Sequence, residues 1–83
     1  MTAEVDTRTR KRRLQKRMHG GTGGESVEQI VCYVWGEAYT QSLAALNEVS
    51  ADRLPKRKKI QLALRAAIAE INEYIASIAD VEE

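Results

Sequence analysis

The chain has 83 residues, a net charge of +1, one Cys, one His, one Pro and no Phe. That length supports one small domain, which excludes two-lobed enzymes, a Rossmann unit with a substrate domain, and barrels. One Cys forms no internal disulfide, one His makes no zinc-ligand set, and the longest apolar run, Ile30–Trp35, falls far short of the ~20 residues that span a bilayer.

The near-zero net charge conceals segregation. Residues 1–24 carry seven basic and two acidic side chains, whereas residues 25–83 carry six basic and ten acidic ones. Such asymmetry points to a basic arm with an anionic partner, or to contact between the two ends of the chain. The basic start runs into glycines and not into an apolar segment, so no secretory signal is read. An intracellular setting is expected, cytoplasmic or, in a eukaryote, nuclear.

Residues 1–19 contain only Val5, Leu14 and Met18 as sizeable apolar groups and are expected to be a disordered Arg-rich arm. Within Thr7–Arg17, seven of eleven residues are cationic and five of those are Arg, whose planar fork binds phosphate bidentately. On a helix, Arg10, Arg13 and Arg17 would share one face with Lys16 beside them. Through Arg8, Arg10, Arg12, Arg13 and Lys16 the segment resembles the short arginine-rich peptides that fold into a helix in an RNA groove, as in the antitermination proteins of lambdoid phages. The likeness covers about eleven residues and ends before residue 20. It implies RNA contact by those five, and the cation density by itself reads Arg8, Arg10, Lys11, Arg12, Arg13, Lys16 and Arg17 as a nucleic-acid-binding arm, with a basic tail for an acidic protein surface or membrane as the alternative.

Gly20–Gly24 reads as a flexible linker; it lacks the Gly-Lys-Ser/Thr ending of a phosphate loop. From residue 25 to 83 the periodicity is helical, predicting an all-α hairpin and dimerisation domain. Ser26-Val27-Glu28-Gln29 fits a capping box. Val27, Ile30, Val31, Val34, Ala38, Ser42, Ala45 and Val49 then recur at helical steps, with Trp35, Tyr39 and Leu46 widening the stripe. A helix over about 26–49 is predicted. Because Ile30–Trp35 is rich in β-formers, a strand there, in an order that resembles ribbon-helix-helix DNA-binding dimers, is the alternative. Cys32 is expected to be a small buried hydrophobe, and Trp35 and Tyr39 core aromatics. Gly36 is read as a point of close backbone packing or a bend.

Ser50-Ala51-Asp52 breaks the pattern, with Asp52 as N-cap and Pro55 in the first turn of a second helix over about 52–80. Ile60, Leu64, Ala67, Ile71, Tyr74, Ile78 and Val81 follow 4-3-4-3 spacing, with Ile68 and Ile75 flanking and an Ala-rich back. Glu70 and Glu73 are read as solvent-facing. The two helices form an antiparallel hairpin whose stripes exceed what one neighbour can hide, so a homodimeric four-helix bundle is expected. Its interface would use Val31, Trp35, Tyr39, Leu46, Leu64, Ile68, Ile71, Ile75 and Ile78.

Lys56, Arg57, Lys58 and Lys59 oppose the helix dipole at the start of that helix, a placement that phosphate contact would favour. In a eukaryote the run would resemble a monopartite nuclear-import sequence. No nucleophile, base and orienting group coexist, so the sequence predicts no catalytic residues, no metal and no cofactor. The expected function is nucleic-acid binding, RNA ahead of DNA, by a regulatory or packaging protein that does not insert in membranes. The competing reading is an adaptor, inhibitor or assembly factor docking a larger protein through its open apolar face.

Overall fold

A computed structural model describes residues 6–20 and 24–79. Within them the chain is all-helical: α1 (Thr7–His19), α2 (Val27–Glu48) and α3 (Lys56–Ala79). Ile30–Trp35 lies inside α2, not in a strand.

Each helix start follows from local chemistry. The Asp6 carboxylate caps α1 by accepting a hydrogen bond from the Thr9 N–H at 2.7 Å. That backbone hydrogen bond, first among the causes, holds Asp6 below its ordinary value of 3.8. A depressed carboxylate stabilises the folded state above its unfolded pKa, and the contribution disappears as pH falls through the folded value. Acidification should therefore fray the α1 start while α2 and α3 persist, read from the Thr9 amide by NMR.

At α2 the capping box forms in full: Gln29 N–H donates to Ser26 Oγ at 3.2 Å, and Ser26 N–H donates to Gln29 Oε1 at 2.7 Å. α3 begins at Lys56, four residues after the expected Asp52 cap. Pro55 disfavours helical backbone at Leu54, so the helix starts only beyond the proline, whose carbonyl accepts from the Lys58 and Lys59 amides.

α2 and α3 are the main packing pair and run antiparallel, with Tyr33 against Tyr74 and Ser42 against Ala63. Small residues make the contact: Ala38 and Ala63 are buried, and the Ser42 hydroxyl donates directly to the Ala63 carbonyl at 2.9 Å. This corrects the expected seam. Of its described members only Tyr74 is fully buried; Ala67 and Ile71 are half-buried, and Ile60, Leu64 and Ile78 point outward. Close approach at Ala38, Ser42 and Ala63 leaves the bulky residues on the flanks; of the expected Ala-rich back, Ala63 is buried, Ala66 half-buried, and Ala69 and Ala76 exposed. Val81 lies outside the described residues.

The largest departure is α1. Residues 7–19 are not a disordered arm but a helix lying on α3 and, less extensively, on α2. The arm alone has too little apolar surface to fold, but the α2–α3 pair supplies a place to bury Leu14, which is fully enclosed. Of the predicted linker, residues 21–23 lie outside the described ones. Gly20 closes α1, its N–H donating to the Lys16 carbonyl at 2.7 Å, and Glu25 N–H returns to the Arg17 carbonyl at 2.8 Å.

Two glycines have opposite needs. Gly24 has φ +74°, and a Cβ there would strike the Met18 carbonyl oxygen. Gly36 has open space around it, so close backbone packing does not explain it. Gly24→Ala should cost about 1–2 kcal/mol for left-handed backbone, before any clash. Gly36→Ala should add about 1 kcal/mol through helix propensity. Urea unfolding of the two variants checks the opposite signs.

Candidate interaction surfaces

Arg10, Arg13 and Arg17 share one face of α1, and that face turns inward. The Arg10 guanidinium forks onto Glu70, with Nη2 at 2.6 Å from Oε1 and Nε at 3.4 Å from Oε2, and Nη1 lies 3.6 Å from Glu73. Both partners are buried, side chains 11% and 4% exposed. Desolvation pulls the Arg10 pKa down, but the Glu70 hydrogen bond and the carboxylate charges outweigh it, so the net shift is upward. Glu70, expected in solvent, is thus a buried partner.

Arg13 pairs with Glu37 at 3.2 Å and Arg17 with Glu25 at 2.7 Å, both with substantial solvent contact. Such exposed pairs contribute a few tenths of a kcal/mol each. Arg17 also lies over the Tyr33 ring, 3.7 Å from its centroid. Tyr33 and Tyr74 meet edge-on at 79°, centroids 5.8 Å apart, with hydroxyls at 3.2 Å. Burial first, then the Tyr33 hydroxyl, raises the Tyr74 pKa above its ordinary value. Glutamates and two tyrosines therefore build a groove that receives a basic helix.

The opposite side of α1 carries Arg8 and Arg12, both exposed, with Lys11 half-buried at its edge, and exposed Lys16 borders the groove beside Arg13 and Arg17. None of the four forms a salt bridge with a described residue. Lys56, Arg57 and Lys58 are exposed and Lys59 is half-buried at the far end of α3. About 16 Å of helix separates Lys59 from Glu70, where α1 lies, so the two basic clusters stay apart.

The other flank of the α2–α3 pair is apolar and open. Val27, Val31, Trp35, Tyr39 and Leu43 on α2 continue into Ile60, Leu64, Ile68, Ile75 and Ile78 on α3, each between 41% and 73% exposed. Leu46 and Ile71 border this face half-buried. Trp35 and Tyr39 are consequently not core, and Cys32 is exposed. A patch of this extent is larger than a monomeric protein ordinarily leaves in water.

Sequence reasoning missed Leu43, one turn beyond Tyr39, although the four-residue step 31-35-39-43 was available to find it. The charge asymmetry points to contact between the two ends of the chain, but it does not single out Glu25, Glu37, Glu70 and Glu73 as the residues that build the groove. Among the described residues no group of three His, Cys, Asp or Glu could hold a metal ion, and no helix is long and apolar enough to cross a membrane.

Among the described residues, these surfaces define a set of three helices with one face closed by charge and another left apolar. Comparison with protein families, curated proteins and solved structures returns no match.

Proposed function

We propose that this chain is a self-associating helical interaction module that carries a basic surface to RNA. The observation behind self-association is the open apolar face. Ten large side chains at 41–73% exposure offer on the order of 1,000 Å² per copy, against the ~800 Å² per partner of a standard stable interface. A second copy is the occupant that fits. The two helices supply similar apolar stripes, so a two-fold axis opposes like with like and forms a four-helix core. An axis running across the helices also sets the basic Lys56–Lys58 end of each copy over the end of the other that carries Glu28, which is the charge-complementary arrangement. The α1 helices then lie on the outside.

Sedimentation equilibrium over a dilution series tests this. The expected mass is twice the 9.3 kDa of one chain, with Trp35, the single tryptophan, shifting its emission to shorter wavelength as copies associate. A chain that stays monomeric at every concentration, its Trp35 emission unchanged, overturns the reading.

A separate observation supports the RNA contact: Arg8, Arg12 and Lys16 are exposed with Lys11 half-buried beside them, and none of the four is bonded to a carboxylate of the described residues. A dimer would present two such surfaces, each raising the effective concentration of the other. Four phosphate contacts to a single strand correspond to a log–log salt slope of about −3.

A further inference from the structure

We propose that α1 is a displaceable clamp: the groove between α2 and α3 is a receptor for a basic helix, and RNA competes with the groove carboxylates for Arg10, Arg13 and Arg17. The inference rests on the RNA reading above and adds the surface that regulates it.

Charge dominates the contact that holds α1. Leu14 is its one fully buried large apolar side chain; otherwise the inward face consists of Arg10 on Glu70 and Glu73, Arg13 on Glu37, and Arg17 on Glu25 and the Tyr33 ring. A 13-residue helix is marginal in water by itself, so α1 depends on this groove for its structure. Two of the three arginine contacts are partly solvated, and their carboxylates can be exchanged for phosphate oxygens of similar geometry without stripping a fully buried ion.

Docked and released states offer RNA different surfaces. With α1 docked, a phosphate chain meets Arg8, Lys11, Arg12 and Lys16 while Glu25, Glu37, Glu70 and Glu73 stand behind them as opposing charge. With α1 released, all seven cations of residues 8–17 face the phosphates and the glutamates return to water. RNA that engages the inward arginines therefore binds the released state better and shifts the population toward it, and its apparent affinity is lowered by the fraction of chains still clamped. Weakening the clamp from the groove side should tighten RNA binding, although the altered residue never touches RNA.

The test uses the full chain with a short unstructured single-stranded RNA. Hydrogen exchange read by mass spectrometry follows α1 and α2, and fluorescence anisotropy gives affinity across a salt series, for the natural chain and for Glu70→Gln. The expected result is loss of α1 protection with α2 unchanged, and a salt slope of about −5, from seven phosphate contacts. Glu70→Gln should bind about tenfold more tightly, because a larger share of its chains is already released. Glu37→Gln, at a solvated pair, should change affinity in the same direction by about twofold and serves if Glu70→Gln does not fold.

If RNA binds with a slope of about −3, α1 stays protected and neither glutamine variant changes affinity, the clamp is wrong and the RNA reading stands on the outward cations. If neither the natural chain nor the variants bind, the RNA reading fails and the clamp with it.

Discussion

Ile68→Asp is expected to convert the proposed dimer to a monomer with its helical content intact. Ile68 is 57% exposed in the single chain, so the substitution removes little intramolecular packing. In a four-helix core the same position is desolvated, and an unpaired carboxylate there costs several kcal/mol per copy. The dimer dissociation constant should rise by about 100-fold or more, since each 1.4 kcal/mol is a factor of ten. Ile75→Asp, one heptad further along α3 and 59% exposed, should behave alike. Sedimentation and Trp35 emission read the loss of association, while circular dichroism checks that the helices remain. Ala63→Asp is the contrasting variant, because Ala63 is 6% exposed and touches α2 in the single chain. Its aspartate should unfold the protein and not merely separate copies.

Glu70→Ala is the second large effect. Removing the carboxylate leaves the Arg10 guanidinium in a buried setting with Glu73, at 3.6 Å, as its remaining carboxylate among the described residues. Breaking one side of a buried pair destabilises the structure holding it by about 3 kcal/mol or more. Here the penalty falls on α1 docking, because releasing α1 returns the guanidinium to water while α2 and α3 remain packed. The expected readout is loss of the α1 contribution to helicity and rapid exchange of its amides. Arg10→Met with Glu70→Leu should recover much of the loss, since an apolar pair of similar volume removes both ions from the groove. A double-mutant cycle separates the coupling of Arg10 to Glu70 from the cost of either substitution alone.

The capping box at Ser26 and Gln29 was legible because it depends on residues three apart. Likewise, α2 and α3 could be placed from apolar steps of three and four. The rotation of each helix about its own axis was less legible. Both helices carry two candidate contact faces, one of Ala and Ser and one of Ile, Leu, Val and Trp. Periodicity marks a stripe without saying which part of it meets the intramolecular neighbour. Small residues win that contact because they let the backbones approach closely enough for Ser42 to reach the Ala63 carbonyl, and the bulky residues are left facing out.

Helical content and the two amphipathic stripes follow from the amino-acid sequence by itself, since capping and hydrophobic period act over one or two turns. The same holds for the concentration of positive charge in residues 8–17. Only the tertiary structure decided where those charges go. Arg10, Arg13 and Arg17 meet carboxylates 60, 24 and 8 residues away, and Leu14 finds cover only once α2 and α3 stand side by side. An arm too polar to fold alone becomes a helix there because the groove provides both the apolar burial and the counter-charges that its own residues lack.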